Sequence, residues 1–479
     1  MSTAPSTTRR ALLHAAAAAA IGGLVWLVFS RAFLNYDTLY SLIWGRDLAE
    51  GRTPDYETTL APTPHPLAEA VGIPLSLLGQ DAGYTAMLAV AMFAFGAFVW
   101  GVFLLGRESF GLAAGVLAAV VVATRDPFLS QAVRAYVDIP FLALVVAAAV
   151  LEIRQPRRGL PVLLLLGLAG LLRPEAWLLG AAYWLYLAKA APARRAAILA
   201  AVAAAPPLLW ALSDLAVTGN PLHSLTFTRD TAATLGRPQG IENVPEIMPR
   251  RLGEILRWVP LVGGTAGFFL ALRFARDRAI VPAALAVLGG LAFVAIGIAG
   301  LSLLGRYLFL PAAMLAIFFG FAACGWMDRP PDRVRRWWLA GAALLIVAFV
   351  GSTAAHQTDR LERLHDGIQL RGAIQDDLRD LTRDAAAEPL LERCAPVYVP
   401  NHRPVPILSW YLDRDPDDFV SAQLERPVRG LYVAPANRTV EEKFVLDPRD
   451  PKRLEAEVPP GFSPIAGNDS WRLYGRGCR

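Results

Sequence analysis

Cysteine, histidine and charged residues are all scarce in this 479-residue chain. It has 3 cysteines and 6 histidines, and charged residues make up 18% of the sequence. The Cys and His residues have no zinc-type spacing, and neither a glycine-rich phosphate loop nor a nucleophile elbow is present. The sequence therefore gives no support to a zinc site, to ATP-driven pumping or to serine-triad hydrolysis. A cleavable signal pattern is also missing. The alanine-rich segment from Ala11 continues into residues 21–33, so it is expected to anchor the chain.

Hydrophobic residues dominate instead. They form 55% of the chain, the mean hydropathy is +0.40, and the apolar residues come in blocks near the length that crosses a bilayer. This pattern predicts an all-α polytopic membrane protein with about eleven spans. Two of the predicted spans, 111–124 and 159–172, are too short for a full crossing and would be partly embedded. The spans are expected near 11–34, 84–106, 111–124, 139–153, 159–172, 176–190, 196–217, 258–274, 279–299, 306–325 and 337–354.

The arginine distribution predicts the orientation. With the N-terminus in the cytoplasm, each inner loop carries basic residues, as the positive-inside rule requires. An odd number of spans then places the C-terminus outside a plasma membrane. The net charge of +5 and the pI near 9.2 follow from these loops, so no nucleic-acid partner is expected. The high alanine and arginine content is typical of a GC-rich bacterial genome.

The composition changes after the last predicted span, which divides the chain into a membrane domain, 1–354, and a soluble extracytoplasmic domain, 355–479. Residues 355–392 are charged with an intermittent apolar stripe, as in a soluble helix. From Cys394 onward, short apolar runs alternate with turn residues, which predicts a small α/β domain. Cys394 and Cys478 either form a disulfide that closes this domain or remain two thiols; the sequence leaves both open. The apolar runs are 397–399, 407–412, 431–433 and 471–474.

The first outer loop, residues 35–67, carries the most ordered polar chemistry. An amphipathic helix is predicted after Asp37, lying flat in the headgroup layer and ending at Gly51. Asp37 is either a general base or metal ligand, or the N-cap of that helix. Asp55 follows, and then His65 between two prolines. His65 is either a phosphate or metal ligand or a solvated loop histidine.

Ionisable residues at the ends of other predicted spans are further candidates, because charge is costly there unless it is paired or wetted. Asp138 would be functional, a helix cap, or a partner of Arg134. Asp126 would be functional or paired with Arg125. Arg306 would clamp a phosphate or snorkel at the interface. Two features complete the set: the helix-start sequence Arg173–Pro174–Glu175, in which Arg173 opposes the helix dipole, and a loop over 218–257 expected to be functional or disordered.

Five motifs in this order resemble the GT-C superfamily of polytopic glycosyltransferases, which includes protein O-mannosyltransferases, the lipid A aminoarabinose transferase and envelope arabinofuranosyl- and mannosyltransferases. Each motif falls on the predicted outer side, and the resemblance covers about residues 10–325. The motifs are Asn35-Tyr36-Asp37, Pro64-His65-Pro66-Leu67, Tyr136-Val137-Asp138-Ile139-Pro140, Leu172-Arg173-Pro174-Glu175 and Gly305-Arg306-Tyr307-Leu308-Phe309-Leu310-Pro311.

The resemblance implies an inverting transfer of sugar from a polyprenyl-phosphate donor to a hydroxyl of a saccharide, lipid or protein at the outer face. Asp37 would be the catalytic base and Asp138 a second acid of the pocket. Arg306, with His65 and Arg173, would bind the donor phosphate. The pocket would also include Glu175, Asp126, Tyr307 and Asp55. Many relatives have an acidic pair or a lysine where His65 stands, so a divalent metal is neither supported nor excluded.

Two other functions remain open at this point. A flippase or transporter of lipid-linked saccharides would want polar residues at mid-membrane and broken helices in paired halves. Pro206-Pro207 is the one such break in the sequence, and the predicted spans are otherwise nearly free of charge. A non-catalytic protein that recognises glycolipids through its outer domain is the third alternative. Loss of transfer on a conservative change at Asp37 would count against both.

Overall fold

The computed structural model describes residues 7–58, 60–445 and 457–478, and most of them are helical. A helix overlaps each of the predicted spans, and further helices lie between them. Their bounds are α1 Thr7–Phe29, α2 Tyr36–Ala49, α3 Pro66–Ser76, α4 Gln80–Phe110, α5 Leu112–Thr124, α6 Asp126–Val133, α7 Asp138–Arg154, α8 Leu160–Gly170, α9 Glu175–Ala188, α10 Ala193–Thr218, α11 His223–Thr234, α12 Val244–Leu256, α13 Trp258–Phe274, α14 Arg276–Ile298, α15 Phe309–Cys324 and α16 Arg333–Thr382.

The helices make the chain a multi-pass membrane protein. Within the described ranges, 6 helices are long and apolar enough to cross a bilayer, and up to 8 if each bent pair counts as one span. The pair α5 and α6 bends by 62°, and the 3-10 turn and helix of Ile241–Leu256 meet α13 at 110°. Arg257 makes the second bend with a left-handed backbone, φ 67°. The figure of eleven spans stays a prediction, because α7, α8 and α9 have 17, 11 and 14 residues.

Two compact units make up the chain. The first contains Met1–Ser30, Ala89–Leu212 and Pro238–His365, and the second contains Arg31–Leu88, Ser213–Arg237 and Asp366–Arg479. The helix α16 is continuous from Arg333 to Thr382, and the first outer loop belongs to the second unit. The predicted domains 1–354 and 355–479 stay a prediction.

The core of the first unit surrounds α15, which is buried along almost its whole length. Its small residues let neighbouring backbones come close, as is usual for helices in membranes. A Cβ added at Gly320 would lie 2.3 Å from the carbonyl oxygen of Ala114 in α5, and one at Gly267 of α13 would lie 2.0 Å from that of Phe318. These contacts fix α15 between α5 and α13.

In the second unit, α2 is buried on every side from Thr38 to Asp47. The predicted helix is confirmed, but the expectation that it lies flat in the headgroup layer is wrong, because protein covers both of its faces. One face packs on α3, where a Cβ at Gly45 would be 2.6 Å from the backbone of Gly72. The polar face is covered too, because Arg46 donates to Ser409 O at 3.3 Å and pairs with Asp413 at 2.7 Å. The predicted end is confirmed: α2 stops at Ala49 and Gly51 has φ 74°.

The predicted small α/β domain is confirmed in the second unit. In the described residues it has five strands, β1 Val397–Val399, β2 Phe419–Ser421, β3 Gly430–Pro435, β4 Ser463–Gly467 and β5 Trp471–Arg476. Their order in the sheet is β2-β1-β3-β5-β4. β1 is parallel to β2 and β3, with Val397 opposite both Phe419 and Leu431, whereas β5 is antiparallel to β3 and β4. Cys394 and Cys478 are disulfide-bonded, with Cα atoms 6.1 Å apart. The helices of this region are α17 Glu388–Arg393, α18 Val405–Leu412 and α19 Arg438–Val440.

Two further segments were predicted from the sequence, the charged helix after the last span and the loop over 218–257. The charged helix after the last span is confirmed, with Ile368, Ile374, Leu378 and Leu381 of its stripe buried in α16. The segment 218–257 is not the long irregular loop that its proline and glycine content suggested, because α11 and α12 occupy most of it. Pro245 stands in the first turn of α12, where a helix tolerates proline, whereas Pro249 lies inside the same helix.

Candidate active site

An arginine–carboxylate cluster in the first unit brings together three residues that the sequence singled out. Arg173 donates from Nη2 to Asp138 Oδ1, and Arg306 Nη1 lies 4.0 Å from Asp138 Oδ2. The side chains of Arg173 and Asp138 are only 6% and 3% exposed, against 20% for Arg306. One carboxylate thus faces two guanidinium groups, one buried and one closer to solvent.

Helix ends position the three charges. Asp138 stands in the first turn of α7, after a left-handed Ala135 ends the preceding helix. Arg173 follows α8, where its N–H still bonds to Ala169 O at 2.8 Å before Pro174 starts the next helix. Arg306 lies in the 3-10 turn Gly305–Leu308 that leads into α15. Each side chain is therefore presented by a short turn between apolar helices.

The structure gives Asp138 a partner that the sequence had not suggested for it. Its partner is Arg173, 35 residues away, whereas Arg134 donates to the Tyr136 hydroxyl at 3.0 Å. No side-chain cap bond is made at the start of α7, whose N-cap position is Val137. The prediction of capping was therefore wrong, since the carboxylate is bonded to a residue distant in the sequence, and a pair with Arg134 stays a prediction.

Two tyrosines complete the cluster. The guanidinium of Arg306 lies 5.6 Å from the ring centre of Tyr136 and 5.7 Å from that of Tyr307, and Arg173 lies 4.8 Å from Tyr307. An aromatic face attracts a cation without neutralising it. The rings therefore hold both guanidinium groups in place while leaving their N–H donors suited to phosphate oxygens.

The cluster lines a cleft. The cleft is narrow, with a cavity volume of about 10 Å³, which is about the room that one water molecule needs. Glu175 and Tyr307 belong to the lining with the three charged residues, as the sequence predicted, and apolar side chains of α7, α9, α14 and α15 form the rest. Charge is therefore concentrated at one place in the cleft, and its other walls are apolar.

Asp126 is engaged elsewhere in the first unit. Arg257 Nη2 donates to both of its carboxylate oxygens, at 2.9 and 3.0 Å, and Asp126 is not among the residues that line the cleft. The alternative pairing with Arg125 is also wrong. That arginine is buried, with its guanidinium 5.7 Å from the ring of Phe349.

In the second unit, Asp37 is not the N-cap of α2. Asn35 takes that position, and its side-chain oxygen accepts from the backbone N–H groups of Asp37 and Thr38 at 2.8 and 3.2 Å. Asp37 follows in the first turn, half-buried, where a carboxylate complements the helix dipole. The cap interpretation is thereby removed, and the general-base interpretation stays a prediction.

A row of aromatic rings runs along α2 beside Asp37. Tyr36, Tyr40, Trp44 and Tyr56 follow one another with ring centres 4.8 to 5.1 Å apart. Hydrogen bonds tie this row to the outer loop, since Tyr36 donates to Leu60 O at 3.1 Å and Trp44 to Asp55 O at 2.9 Å. The loop that carries the candidate base is thus rigidly supported.

Asp55 organises the loop itself. Its carboxylate accepts from the backbone N–H of Glu57 at 2.8 Å and from the Thr58 hydroxyl at 2.6 Å. Burial raises the pKa of Asp55, but these hydrogen bonds outweigh it and hold the pKa below its ordinary value. The geometry gives Asp55 a loop-shaping role, and its predicted place in the substrate pocket stays a prediction.

His65 is buried, so the interpretation as a solvated loop histidine is wrong. Its backbone N–H donates at 3.0 Å to Oε1 of Glu69, and the Tyr56 hydroxyl donates to Oε2 at 2.6 Å. Burial raises the pKa of Glu69 to about 7. Sequence reasoning missed Glu69. The sequence did contain a signal for this contact. Glu69 follows His65 by four residues in the first turns of α3, where a carboxylate can accept from the backbone N–H at the helix start.

A second buried acid, Asp214, lies in the same unit. It accepts from both the backbone and the hydroxyl of Ser224 at 2.8 Å. The neighbouring His223 is buried against Phe227, with its Nε2 3.2 Å from Tyr56 O. In the described part of the chain, no three His, Cys, Asp or Glu side chains form a group suited to hold a metal ion.

Comparison with solved structures gives the fold its class. The chain is similar to ArnT, an aminoarabinose transferase from Cupriavidus metallidurans in the apo state, with a TM-score of 0.54 and 14% identity over 98% of both chains. It is also similar to the oligosaccharyltransferase AglB from Archaeoglobus fulgidus. One AglB structure holds an inhibitory peptide and a dolichol-phosphate, and matches with a TM-score of 0.50 and 14% identity. Another holds Zn and sulfate, and matches with a TM-score of 0.51.

These likenesses confirm the predicted fold. ArnT and AglB are both GT-C glycosyltransferases, and the chain described here is a multi-pass membrane protein of the GT-C fold. The match to the dolichol-phosphate complex covers 84% of this chain but only 64% of the AglB chain. No protein-family model matches the sequence, and no curated protein matches it either.

Proposed function

We propose that this protein is an inverting glycosyltransferase that moves a sugar from a polyprenyl-phosphate donor to an acceptor hydroxyl at the outer face of the membrane. The observation that carries the proposal is the cleft in which Arg173 and Arg306 converge on Asp138, with Tyr307 against both guanidinium groups. A buried charge cluster at the end of apolar helices is costly and marks a functional site. The GT-C fold supports a lipid-linked donor.

In the proposed reaction, the acceptor oxygen attacks the anomeric carbon of the donor. The bond between that carbon and the phosphate oxygen breaks, the electron pair leaves with the polyprenyl phosphate, and the acceptor proton passes to Asp37. General-base catalysis of this kind is commonly worth roughly 10²–10⁴-fold. Attack from the side opposite the leaving phosphate inverts the anomeric centre.

The two arginines have different tasks in this proposal. Arg173 is buried and directly bonded to Asp138, so it fixes that carboxylate. Arg306 is more exposed and lies 4.0 Å from the same carboxylate, a contact that a donor phosphate can replace. Asp138 then acts as the counter-ion that holds the clamp in the empty cleft. Arg306, with Arg173 and His65, neutralises the leaving phosphate, and Glu175, Tyr307 and Asp55 complete the substrate pocket.

The proposal includes a topology. Eleven spans, an inner N-terminus and an extracytoplasmic 355–479 region place the motif residues on the outer side, in agreement with the basic inner loops. The disulfide between Cys394 and Cys478 supports the outer location of that region, since disulfides persist in oxidising compartments. The donor, a polyprenyl-phosphate sugar, and the acceptor, a saccharide, lipid or protein, meet there.

The test is a transfer assay with the purified chain and synthetic polyprenyl-phosphate sugars, following release of polyprenyl phosphate and formation of the glycosidic product. Arg306→Gln should raise the donor KM by about tenfold to a hundredfold, because it removes a charged hydrogen bond to the phosphate. The matched control is Arg250→Gln, which removes an exposed arginine paired with Glu254 and should leave the KM unchanged.

Two outcomes would contradict the proposal. One is movement of the lipid-linked sugar across vesicles without formation of a glycosidic bond, as a flippase would give. The other is an unchanged donor KM in Arg306→Gln while transfer proceeds, which would leave the cleft without its assigned ligand.

A further inference from the structure

Seven arginines cluster where three segments of the first unit meet, and the proposed reaction uses none of them. The segments are the end of α13 with the start of α14, the 3-10 turn Gly325–Asp328, and the start of α16. We call this cluster the arginine corner; its members are Arg273, Arg276, Arg278, Arg329, Arg333, Arg335 and Arg336.

Aromatic side chains support the arginine corner from below. Trp338 of α16 lies at its base and donates from Nε1 to Ala322 O at 2.8 Å. Its ring centre is 5.4 Å from that of Phe321 and 5.6 Å from that of Phe274. Arg329 covers the other side of the junction, with its guanidinium 4.5 Å from the Phe274 ring centre. The ends of α13, α15 and α16 are therefore locked together by aromatic contacts beneath the charges.

The corner holds more positive charge than its own acids balance. Its seven arginines stand among three aspartates, Asp277, Asp328 and Asp332. Ion pairs join Arg278 to Asp328 at 3.0 Å and Arg329 to Asp332 at 2.9 Å. Within the described residues, the remaining five guanidinium groups have no carboxylate at ion-pair distance.

Apolar side chains are exposed directly beside these charges. Trp337 is 70% exposed, Met327 52% and Val334 44%. A free phosphate would engage the guanidinium groups but would gain nothing from this apolar surface. A phospholipid has both parts, since its phosphate suits the arginines and its acyl chains suit the neighbouring apolar groups.

We propose that the arginine corner binds the headgroup of an anionic phospholipid. The guanidinium groups of Arg276, Arg333 and Arg336, which no acid balances, form the headgroup contacts, and Trp337 lies along the acyl chains. The positive-inside pattern of the sequence places this corner at the inner leaflet. The site is thus separate from the donor cleft proposed at the outer face, and it does not depend on the glycosyltransferase assignment.

The experiment uses the full chain reconstituted in bilayer discs of equimolar phosphatidylcholine and phosphatidylglycerol. Lipids that stay bound after release from the disc are counted by native mass spectrometry. The wild type should retain phosphatidylglycerol preferentially. The triple variant Arg276→Gln/Arg333→Gln/Arg336→Gln should lower that preference by at least about tenfold, because each juxtamembrane basic residue contributes to attraction for anionic lipid.

Two matched variants make the test specific. Arg158→Gln/Arg194→Gln/Arg195→Gln removes the same charge from other predicted inner loops and should lower the preference much less, because these arginines do not stand beside the exposed apolar side chains of the corner. Arg276→Lys/Arg333→Lys/Arg336→Lys keeps the charge and should retain most of the preference. The proposal is overturned if the wild type shows no preference for phosphatidylglycerol, or if the control triple lowers it as much as the corner triple.

Discussion

The two units of the molecule bury acidic side chains in opposite ways. In the first unit, Asp138 is buried as one member of an ion pair with Arg173 and faces a second guanidinium. In the second unit, Glu69 is buried beside neutral donors, the Tyr56 hydroxyl and the His65 N–H, and its pKa is raised to about 7. The contrast teaches that one buried acid is matched by cations, whereas the other is bonded to neutral donors and has a raised pKa.

The largest expected effect comes from breaking the charged arrangement. Asp138→Asn keeps the shape of the side chain but leaves Arg173 buried without its counter-ion, which should cost about 3–5 kcal/mol of stability. Unfolding of the purified protein in detergent, followed by heat or denaturant, measures it. The control is Asp126→Asn, whose pair with Arg257 is 23% exposed on each side and should cost less.

A double variant sharpens the same point. Adding Arg173→Gln to Asp138→Asn removes the orphaned cation, so part of the lost stability should return. Equal losses in Asp138→Asn and Asp126→Asn, with no recovery in the double variant, would mean that the buried charge pair is not what holds this junction.

Glu69→Gln should change the stability in the opposite direction to Asp138→Asn: at neutral pH it should stabilise the protein. Because its folded-state pKa is raised above the ordinary value near 4.5 to about 7, the folded protein keeps a proton that the unfolded chain releases. Stability is then highest below pH 4.5 and falls as the pH rises to about 7, by roughly 3 kcal/mol in total. Glu69→Gln carries no titrating proton and should remove this fall.

The measurement for Glu69 is a series of unfolding curves across pH 4 to 8 for the wild type and Glu69→Gln in the same detergent. The variant should become the more stable protein at the upper end. An Asp55→Asn variant gives the reference: because the pKa of Asp55 is lowered from 3.8, its contribution changes only below this pH range, so the variant should keep the fall seen in the wild type. A wild type whose stability does not change between these pH values would contradict the account.

A smaller effect is expected at the N-terminus of α2. Asn35→Ala removes the side-chain oxygen that caps the backbone N–H groups of Asp37 and Thr38, and should cost about 1 kcal/mol. Asn35→Asp keeps the oxygen and should retain the stability. A loss shared by both variants would show that the amide Nδ2 bond to the Thr38 hydroxyl matters more than the cap.

Local patterns in the sequence predicted much of the fold. Apolar blocks gave the helices, Gly51 gave the end of α2, and three short apolar runs gave β1, β3 and β5. The same logic failed where tertiary contacts decide. α2 was expected to lie flat at the membrane surface, yet α3 and α18 cover both its faces. Nothing in the sequence of residues 36–49 predicts that α3 and α18 will cover this helix.

The candidate site shows the same limit. The sequence identified Asp138, Arg173 and Arg306 separately, but not that one carboxylate serves both arginines, since the three residues come from positions far apart in the chain. It also considered Asp37, and not Asn35, as a possible N-cap, because both residue types cap helices and only the backbone geometry distinguishes them. Glu69 was missed because its burial cannot be read from its neighbours.

The central claim is that Asp37 is the base of a sugar transfer, and single-turnover kinetics with a polyprenyl-phosphate sugar test it most directly. Asp37→Asn should lower the transfer rate by roughly 10²–10⁴-fold with unchanged donor affinity, whereas Glu57→Gln, an exposed acid of the same loop, should transfer normally. A transfer rate in Asp37→Asn equal to that of the wild type would contradict the account.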